Sequence, residues 1–323
     1  MNARILTTAT LALAITAVLP AKAADPQLLN LVMPDAKVLA GVNVDQAKTS
    51  PFGQYVLSQM QSQNQEMQKL EALTGFDPTR DVHELLVATN AVSAATADAA
   101  NNQTGLFLAR GNFDAAKITA AATADNGITE TYKGVTIIED PKATHGVAFL
   151  NATLAVAGDL ANVKAAIDRQ NGGPSIPAAL AVQVNHWSST EDAWAISTVS
   201  PASLHAPAGA PNVPGLNGAG TFQTIQSAAG GVKFGAMVVV TAQATADNAQ
   251  DAQQMGDALK MLAMLAQMQA AKDPAAAALA QSLQITNSGS TLNVSISLPE
   301  DQLQQVVKPK ANVRRAEKAI KQM

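Results

Sequence analysis

The chain has 323 residues, of which 47% are apolar and only 3% aromatic, so a buried core has to be built largely from aliphatic side chains. It contains no cysteine, which excludes disulfides, thiol nucleophiles and cysteine-ligated metals. The net charge is −4, and an acidic protein disfavours nucleic acid as a partner because the phosphates are repelled.

The first 23 residues have the pattern of a cleaved secretory signal peptide. Arg4 gives a positive start, residues 5–19 are uncharged and mostly apolar, and small residues flank Lys22. We expect cleavage between Ala23 and Ala24 and a periplasmic or secreted mature protein. The alternative is an uncleaved anchor, although a run of 15 residues is shorter than the ~20 of a membrane-spanning helix. The absence of cysteine excludes a lipoprotein anchor.

Residues 25–172 are predicted to form one α+β half. Ser50 as a cap and Pro51 in the first turn predict the start of a long helix. Two matching joints, Gly111-Asn112 and Gly158-Asp159, predict sharp strand-to-helix turns in which the Asn or Asp oxygen accepts from the first helical turn. The predicted elements are strands at 37–44, 83–92 and 104–109, hairpins at 128–132/135–139 and 147–150/153–157, and helices at 50–73, 113–124 and 160–170.

Residues 173–307 are predicted to form a second, weakly related half, which begins after the turn-rich segment 171–174. Ile176-Pro177 followed by the apolar segment 180–185 echoes Met33-Pro34 followed by 38–43, which indicates a weak internal duplication. The predicted elements are strands at 193–199 and 232–242, a loop at 201–217, a hairpin at 283–286/291–298, and helices at 221–229, 245–271, from 274 and 299–307. The fold class we predict is α+β, with antiparallel sheets carrying helices on one face.

Several turn and cap segments resemble a group of exported α+β proteins of unknown function from Gram-negative bacteria. The resemblance covers most of the mature chain and implies a compartment and an architecture, but no functional residues. The segments are residues 34–44, Ser50-Pro51-Phe52-Gly53, Gly75-Phe76-Asp77-Pro78 with Asp81-Val82, and residues 298–303.

The sequence contains no recognisable catalytic, cofactor or metal motif. Its histidines, His83, His145, His186 and His205, are not spaced as a metal-ligand pair. A serine elbow and a phosphate-binding glycine loop are also missing from the sequence. We therefore predict no catalytic, cofactor-binding or metal-binding residues, although a site assembled from residues distant in sequence stays open.

The helix at 245–271 carries a methionine-rich apolar face that suggests an apolar groove. Methionine side chains are flexible and polarisable, and such a face accepts varied partners. The alternative is an ordinary core helix packed on the strand at 232–242. The candidate groove residues are Met255, Met261, Met264 and Met268.

The C-terminal tail, residues 308–323, is basic on an otherwise acidic chain. Removing Arg4 and Lys22 with the signal would take the net charge from −4 to −6, and the tail contributes +5, which leaves −11 for residues 24–307. A basic amphipathic end can lie weakly on an anionic membrane or dock on an acidic partner. The alternative is a solvated terminus. The candidate contact residues are Arg314, Arg315, Lys318 and Lys321.

These observations predict a non-catalytic, exported envelope protein that acts as a binding or interaction module for an unknown protein or an apolar ligand. The alternative is a hydrolase whose Ser, His and Asp residues come together from distant parts of the chain.

Overall fold

The strands form a single antiparallel sheet in a computed structural model that describes residues 23–62, 65–90, 105–125, 127–172, 176–200, 224–268, 274–300 and 302. Twelve strands lie in the order β11-β12-β10-β9-β8-β1-β2-β3-β7-β6-β5-β4, and every neighbouring pair is antiparallel. The strands are β1 Val38–Asn43, β2 Val82–Thr89, β3 Gly105–Gly111, β4 Ile128–Tyr132, β5 Val135–Glu139, β6 His145–Phe149, β7 Leu154–Asp159, β8 Ala193–Ser197, β9 Ile225–Lys233, β10 Met237–Ala246, β11 Gln284–Ser288 and β12 Thr291–Pro299.

The predicted α+β class with antiparallel strands is confirmed, but the strands make one sheet rather than several. The helices between the strands pack on this sheet. They are α1 Pro26–Leu29, α2 Val44–Ala47, α3 Pro51–Ser62, α4 Gln65–Thr74, α5 Pro78–Asp81, α6 Ala115–Ala124, α7 Leu160–Arg169, α8 Ala178–Thr190, α9 Ala249–Met268 and α10 Pro274–Ser282.

The helices cover both faces of the sheet, where the sequence predicted one. Side chains alternate between the two faces of a strand. On β3, Leu106 and Leu108 belong to the main core with residues of α1, α7 and α8. Ala109 lies on the opposite face, where it packs near Val44 of α2 and Leu57 of α3. The physical reason is that the central strands are apolar on both faces, and each face has to be buried.

The predicted strands of the first half correspond closely to the structure. The hairpin of β4 and β5 has the predicted bounds, and its turn residues Lys133 and Gly134 both have positive φ angles, 49° and 84°. Such angles belong to the tight two-residue turn that suits the twist of the flanking strands.

Three predicted elements and the predicted internal echo differ from the structure. The predicted helix 50–73 is divided into α3 and α4, and the segment 180–185, which echoes β1, lies inside helix α8. The predicted helix 221–229 overlaps strand β9, and the predicted strand 232–242 straddles the turn between β9 and β10. Alanine and glycine fill much of β9, so its sequence carries little strand preference, and pairing with β8 and β10 decides its conformation.

The connectivity of the first seven strands recurs in shorter form in the last five. After the meander β1–β3 comes α6, and the returning strands place β7 against β3. After the meander β8–β10 come α9 and α10, and the returning strands place β12 against β10. The two arrangements meet where β1 pairs with β8. The boundaries 25–172 and 173–307 stay a prediction.

Some predicted segments lie outside the described residues. They are most of the signal peptide, the loop 201–217, nearly all of the helix 299–307 and the basic tail 308–323.

Candidate functional site

A large apolar cavity lies between the sheet and helices α3, α4 and α6. Its volume is about 530 Å³, within the range of small-molecule sites. Leu85, Ala109 and Ala155 form part of the sheet wall, and Leu57 and Ile118 face it from the helices. Among its lining residues Glu71 alone is charged, and the rest are apolar apart from Thr79. The cavity therefore suits an apolar ligand rather than a polar one.

The small residues Ala109 and Ala155 leave the space that the cavity occupies. They pair with each other across β3 and β7, so two adjacent positions on this face carry only methyl groups. Three aromatic side chains, Phe76, Phe113 and Phe149, also line the cavity. The Phe113 ring is 5.5 Å from the Phe149 ring and 5.8 Å from the Phe76 ring, measured between centroids.

A polar cleft of about 390 Å³ adjoins the apolar cavity. Phe76, Phe113 and Ile118 line both spaces. The cleft lies between the C-terminal end of α4 and the start of α6. Its polar lining residues are Thr74, Asp81, Asn112, Asp114, Lys117 and Thr153.

Two carboxylates of this polar cleft are held in the ionised form. The Arg80 guanidinium lies 2.7 Å from the Asp81 carboxylate, and this hydrogen bond lowers the pKa of Asp81. Asp114 caps helix α6 by accepting from the backbone amide of Lys117 at 3.1 Å, and this bond is the main cause of its lowered pKa. The Lys117 ammonium is also 3.0 Å from Asp114. Both carboxylates are therefore charged at neutral pH.

The sequence predicted a different cap for this helix. Asp114, two residues after Asn112, caps α6, and the Asn112 amide instead contacts Nε2 of His83 at 3.1 Å. At the matching joint, Asp159 caps α7 by position but makes no side-chain cap bond, because its carboxylate accepts from the Gly105 amide at 3.0 Å.

Of the histidines that the structure describes, His83 has the most enzyme-like surroundings. Its Nδ1 lies 2.8 Å from the Asp45 carboxylate, as in a catalytic triad. Its Nε2, which would activate a nucleophile, contacts the Asn112 amide instead. Neither described partner is a nucleophile, so this pair gives no support to the hydrolase alternative.

The two other described histidines have different partners. His145 is 3.7 Å from Asp159, and His186 contacts the edge of the Trp187 ring. His205 lies outside the described residues. Over the part of the chain that the structure describes, no three His, Asp or Glu side chains are grouped as metal ligands.

The four methionines predicted to line a groove do not share one surface. Met255 is fully buried, with 0% of its surface exposed, in a core cluster with Ile225 and Leu292. The other three are on the outside of α9, with exposed fractions of 53% for Met261, 59% for Met264 and 74% for Met268. The predicted tail contacts Arg314, Arg315, Lys318 and Lys321 lie outside the described residues.

Sequence reasoning missed the cavity because its residues come from many separate elements. The pairing of β3 with β7 brings Ala109 and Ala155 together, and no local pattern marks either alanine. Phe76, Phe113 and Phe149 contact one another beside the cavity but are far apart in the sequence, so no local pattern indicated the site.

Within the described ranges, no helix has both the length and the apolar character needed to cross a membrane.

Comparisons with known proteins identify a fold but no family. No protein-family model matches the chain, and no curated protein sequence matches it. Crystal form III of TP0453, a Treponema protein, has a similar fold, with a TM-score of 0.57 and 11% sequence identity over 88% of this chain and 97% of the other. Crystal forms I and IV of TP0453 are also similar, each with a TM-score of 0.50 and 11% identity, over 89% and 90% of this chain and 98% of the other. At this identity, the likeness shows the fold alone.

Proposed function

We propose that this protein is a non-catalytic binding protein that holds a small apolar ligand in the cavity between the sheet and helices α3, α4 and α6. The observation that carries the proposal is a space of about 530 Å³ with one charged residue, Glu71, among its lining residues. An empty apolar cavity of this size costs stability, because the atoms that line it lose contacts. A bound ligand would recover those contacts.

The size of the cavity suits an unbranched alkyl chain. A water-sized group occupies about 30 Å³, so the cavity of about 530 Å³ would hold on the order of 15 such groups. Each methylene moved from water into an apolar site contributes about 0.8 kcal/mol, which is roughly a fourfold change in affinity. Affinity should therefore rise with chain length and stop rising once the cavity is full.

A series of straight-chain alcohols tests this function. Each alcohol would displace the uncharged dye phenylnaphthylamine from the protein, and the dissociation constant would be plotted against chain length. We expect a decrease of roughly fourfold per methylene up to a plateau. A dissociation constant that does not depend on chain length, or an absence of dye and alcohol binding, would contradict the proposal.

We also propose that the protein is exported, because the first 23 residues have the pattern of a signal peptide. N-terminal sequencing of the protein expressed in a Gram-negative host would test this. The expected mature protein begins at Ala24 and is found in the periplasmic fraction or the medium. An unprocessed chain in the cytoplasm would contradict the proposal.

The basic tail is proposed to give weak contact with an anionic membrane. The support is charge alone: residues 308–323 carry six basic residues and one acid. Each basic side chain near an anionic surface contributes about 1 kcal/mol, and salt weakens the attraction. Co-sedimentation with anionic vesicles should fall when residues 308–323 are removed, and equal binding by the two proteins would refute the role of the tail.

A further inference from the structure

We infer that the ligand is a single-chain amphiphile with a positively charged headgroup, its alkyl chain in the apolar cavity and its headgroup in the polar cleft beside it. This inference rests on the proposed function, since it assigns a chemical class to the ligand of that cavity.

The first argument is that the two spaces adjoin. The apolar cavity and the polar cleft share Phe76, Phe113 and Ile118 as lining residues. One molecule that passes these side chains would meet hydrocarbon on one side and carboxylate, amide and hydroxyl groups on the other. A purely apolar ligand would leave the cleft of about 390 Å³ unused.

The second argument is the sign of the charge around the cleft. The cleft contains the carboxylates of Asp81 and Asp114. Glu71 lines the adjoining apolar cavity. Among the described residues, the cationic side chains that interact with these carboxylates are Lys117, paired with Asp114, Arg80, which interacts with Asp81, Asp77 and Glu71, and Lys48, which interacts with Asp81. Four described carboxylates are therefore offset by three cations, which leaves an excess of one negative charge.

This imbalance favours a cationic headgroup and opposes an anionic one, because like charges repel.

The third argument is the aromatic boundary between the two spaces. A cation over an aromatic face is attracted by the negative face of the ring. The Phe76 and Phe113 rings, 5.8 Å apart, lie at the junction that the headgroup would reach. A quaternary or primary ammonium at this position would meet aromatic rings and carboxylates together, which is the combination that binds organic cations.

The experiment compares headgroups on one chain length. Dodecyltrimethylammonium, dodecanol and dodecanoate would each displace phenylnaphthylamine, at concentrations below those that form micelles. For the native protein we expect the cation to bind most tightly and the carboxylate most weakly. Exposed charge interactions are worth up to about 1 kcal/mol, so the expected difference between cation and alcohol is roughly threefold to fivefold.

Two opposite substitutions in the cleft sharpen the test. Asp114→Asn removes one negative charge but keeps a good helix cap, so it should reduce the affinity for the cation by roughly threefold. Lys117→Gln removes the ammonium and should raise that affinity by a similar factor. Asp257→Asn is the matched control, because Asp257 pairs with Lys260 three residues on, in α9 and outside both cavities. The control should change nothing.

The outcomes separate this inference from the proposed function. If all three amphiphiles bind equally, or if the two cleft substitutions leave the affinity for the cation unchanged, the headgroup assignment is wrong, and the apolar cavity can still be the ligand site. If dodecanol and the dye do not bind at all, the proposed function fails, and the inference fails with it. A preference for dodecanoate would also overturn the assignment.

Discussion

Replacing Ala109 by leucine should block part of the cavity and weaken ligand binding by a calculable amount. Ala109 lines the cavity from β3, and leucine adds three carbon atoms. At about 30 Å³ for each water-sized group, these atoms take up on the order of 90 Å³ of the roughly 530 Å³. They exclude about three methylenes of the ligand, which costs about 2.4 kcal/mol, or roughly 60-fold in affinity.

The same substitution should not destabilise the protein. Filling about 90 Å³ of empty apolar space recovers up to roughly 2 kcal/mol at about 24 cal/mol per Å³. The free energy of unfolding of Ala109→Leu, measured with urea, should therefore equal or exceed that of the native protein. Loss of binding would then reflect a blocked site rather than a damaged fold.

Ala195 provides the matched control for this substitution. It lies on the same face of the sheet as Ala109. Ala195 pairs with Ala40, Ala40 with Val87 and Val87 with Phe107, and Phe107 is two residues before Ala109 on β3. It is exposed and does not line the cavity. Ala195→Leu should leave the alcohol affinities unchanged and alter stability by less than about 0.5 kcal/mol.

The reasoning is refuted if Ala109→Leu binds the long alcohols as tightly as the native protein does. It is equally refuted if the leucine variant keeps the native chain-length plateau, since the excluded volume should move the plateau to a shorter alcohol by about three methylenes.

Three further predictions concern stability. Burial raises the pKa of Glu84 above its ordinary value of 4.5, so the folded protein keeps this proton after the unfolded chain has lost it. The free energy of unfolding should therefore fall as the pH rises from about 4.5 through the raised pKa, and Glu84→Gln should remove that slope in urea titrations at several pH values. For Asp140 the sign is opposite, because the backbone amide of His145 donates to it and lowers its pKa from 3.8 to about 2. Its stabilising contribution should be lost as the pH falls from 3.8 towards 2, and Asp140→Asn should flatten acid unfolding in that interval. Gly158→Ala should destabilise more than Gly134→Ala does, as thermal denaturation would show. Both glycines have positive φ angles, 148° and 84°, but an added methyl group at Gly158 would also collide with the carbonyl oxygen of Gly105, whereas the space around Gly134 is open. The expected costs are about 1 kcal/mol at Gly134 and above about 2 kcal/mol at Gly158.

The parts of the fold that local physics determines could be predicted from the sequence. Lys133-Gly134 between two β-branched runs predicts the hairpin of β4 and β5 with its correct bounds, because only a tight turn joins strands over two residues. Gly75, with a φ angle of 74°, follows the last residue of helix α4 and ends it, since glycine takes this conformation without a steric cost.

The parts that depend on long-range pairing could not be predicted. A short apolar run such as 180–185 is compatible with a helix or a strand. In the structure it is helical, and Leu180 and Val184, four residues apart, are both buried in the main core. The single sheet depends on the pairing of β1 with β8, and no sequence pattern near either strand predicts that pairing. The cavity depends on the pairing of β3 with β7, which is also long-range, so the sequence alone could not predict the site.

The pairing of β1 with β8 also determines the order in which the sheet can be completed. During synthesis from the N-terminus, β1 and β2 are made long before β8, so one edge of the apolar strand β1 has no partner while the rest of the chain is produced. An unpaired apolar edge is a template for pairing with other chains. Premature contact between nascent molecules at this edge would compete with the native assembly, and the yield of folded protein should depend on how quickly β8 arrives relative to the concentration of incomplete chains.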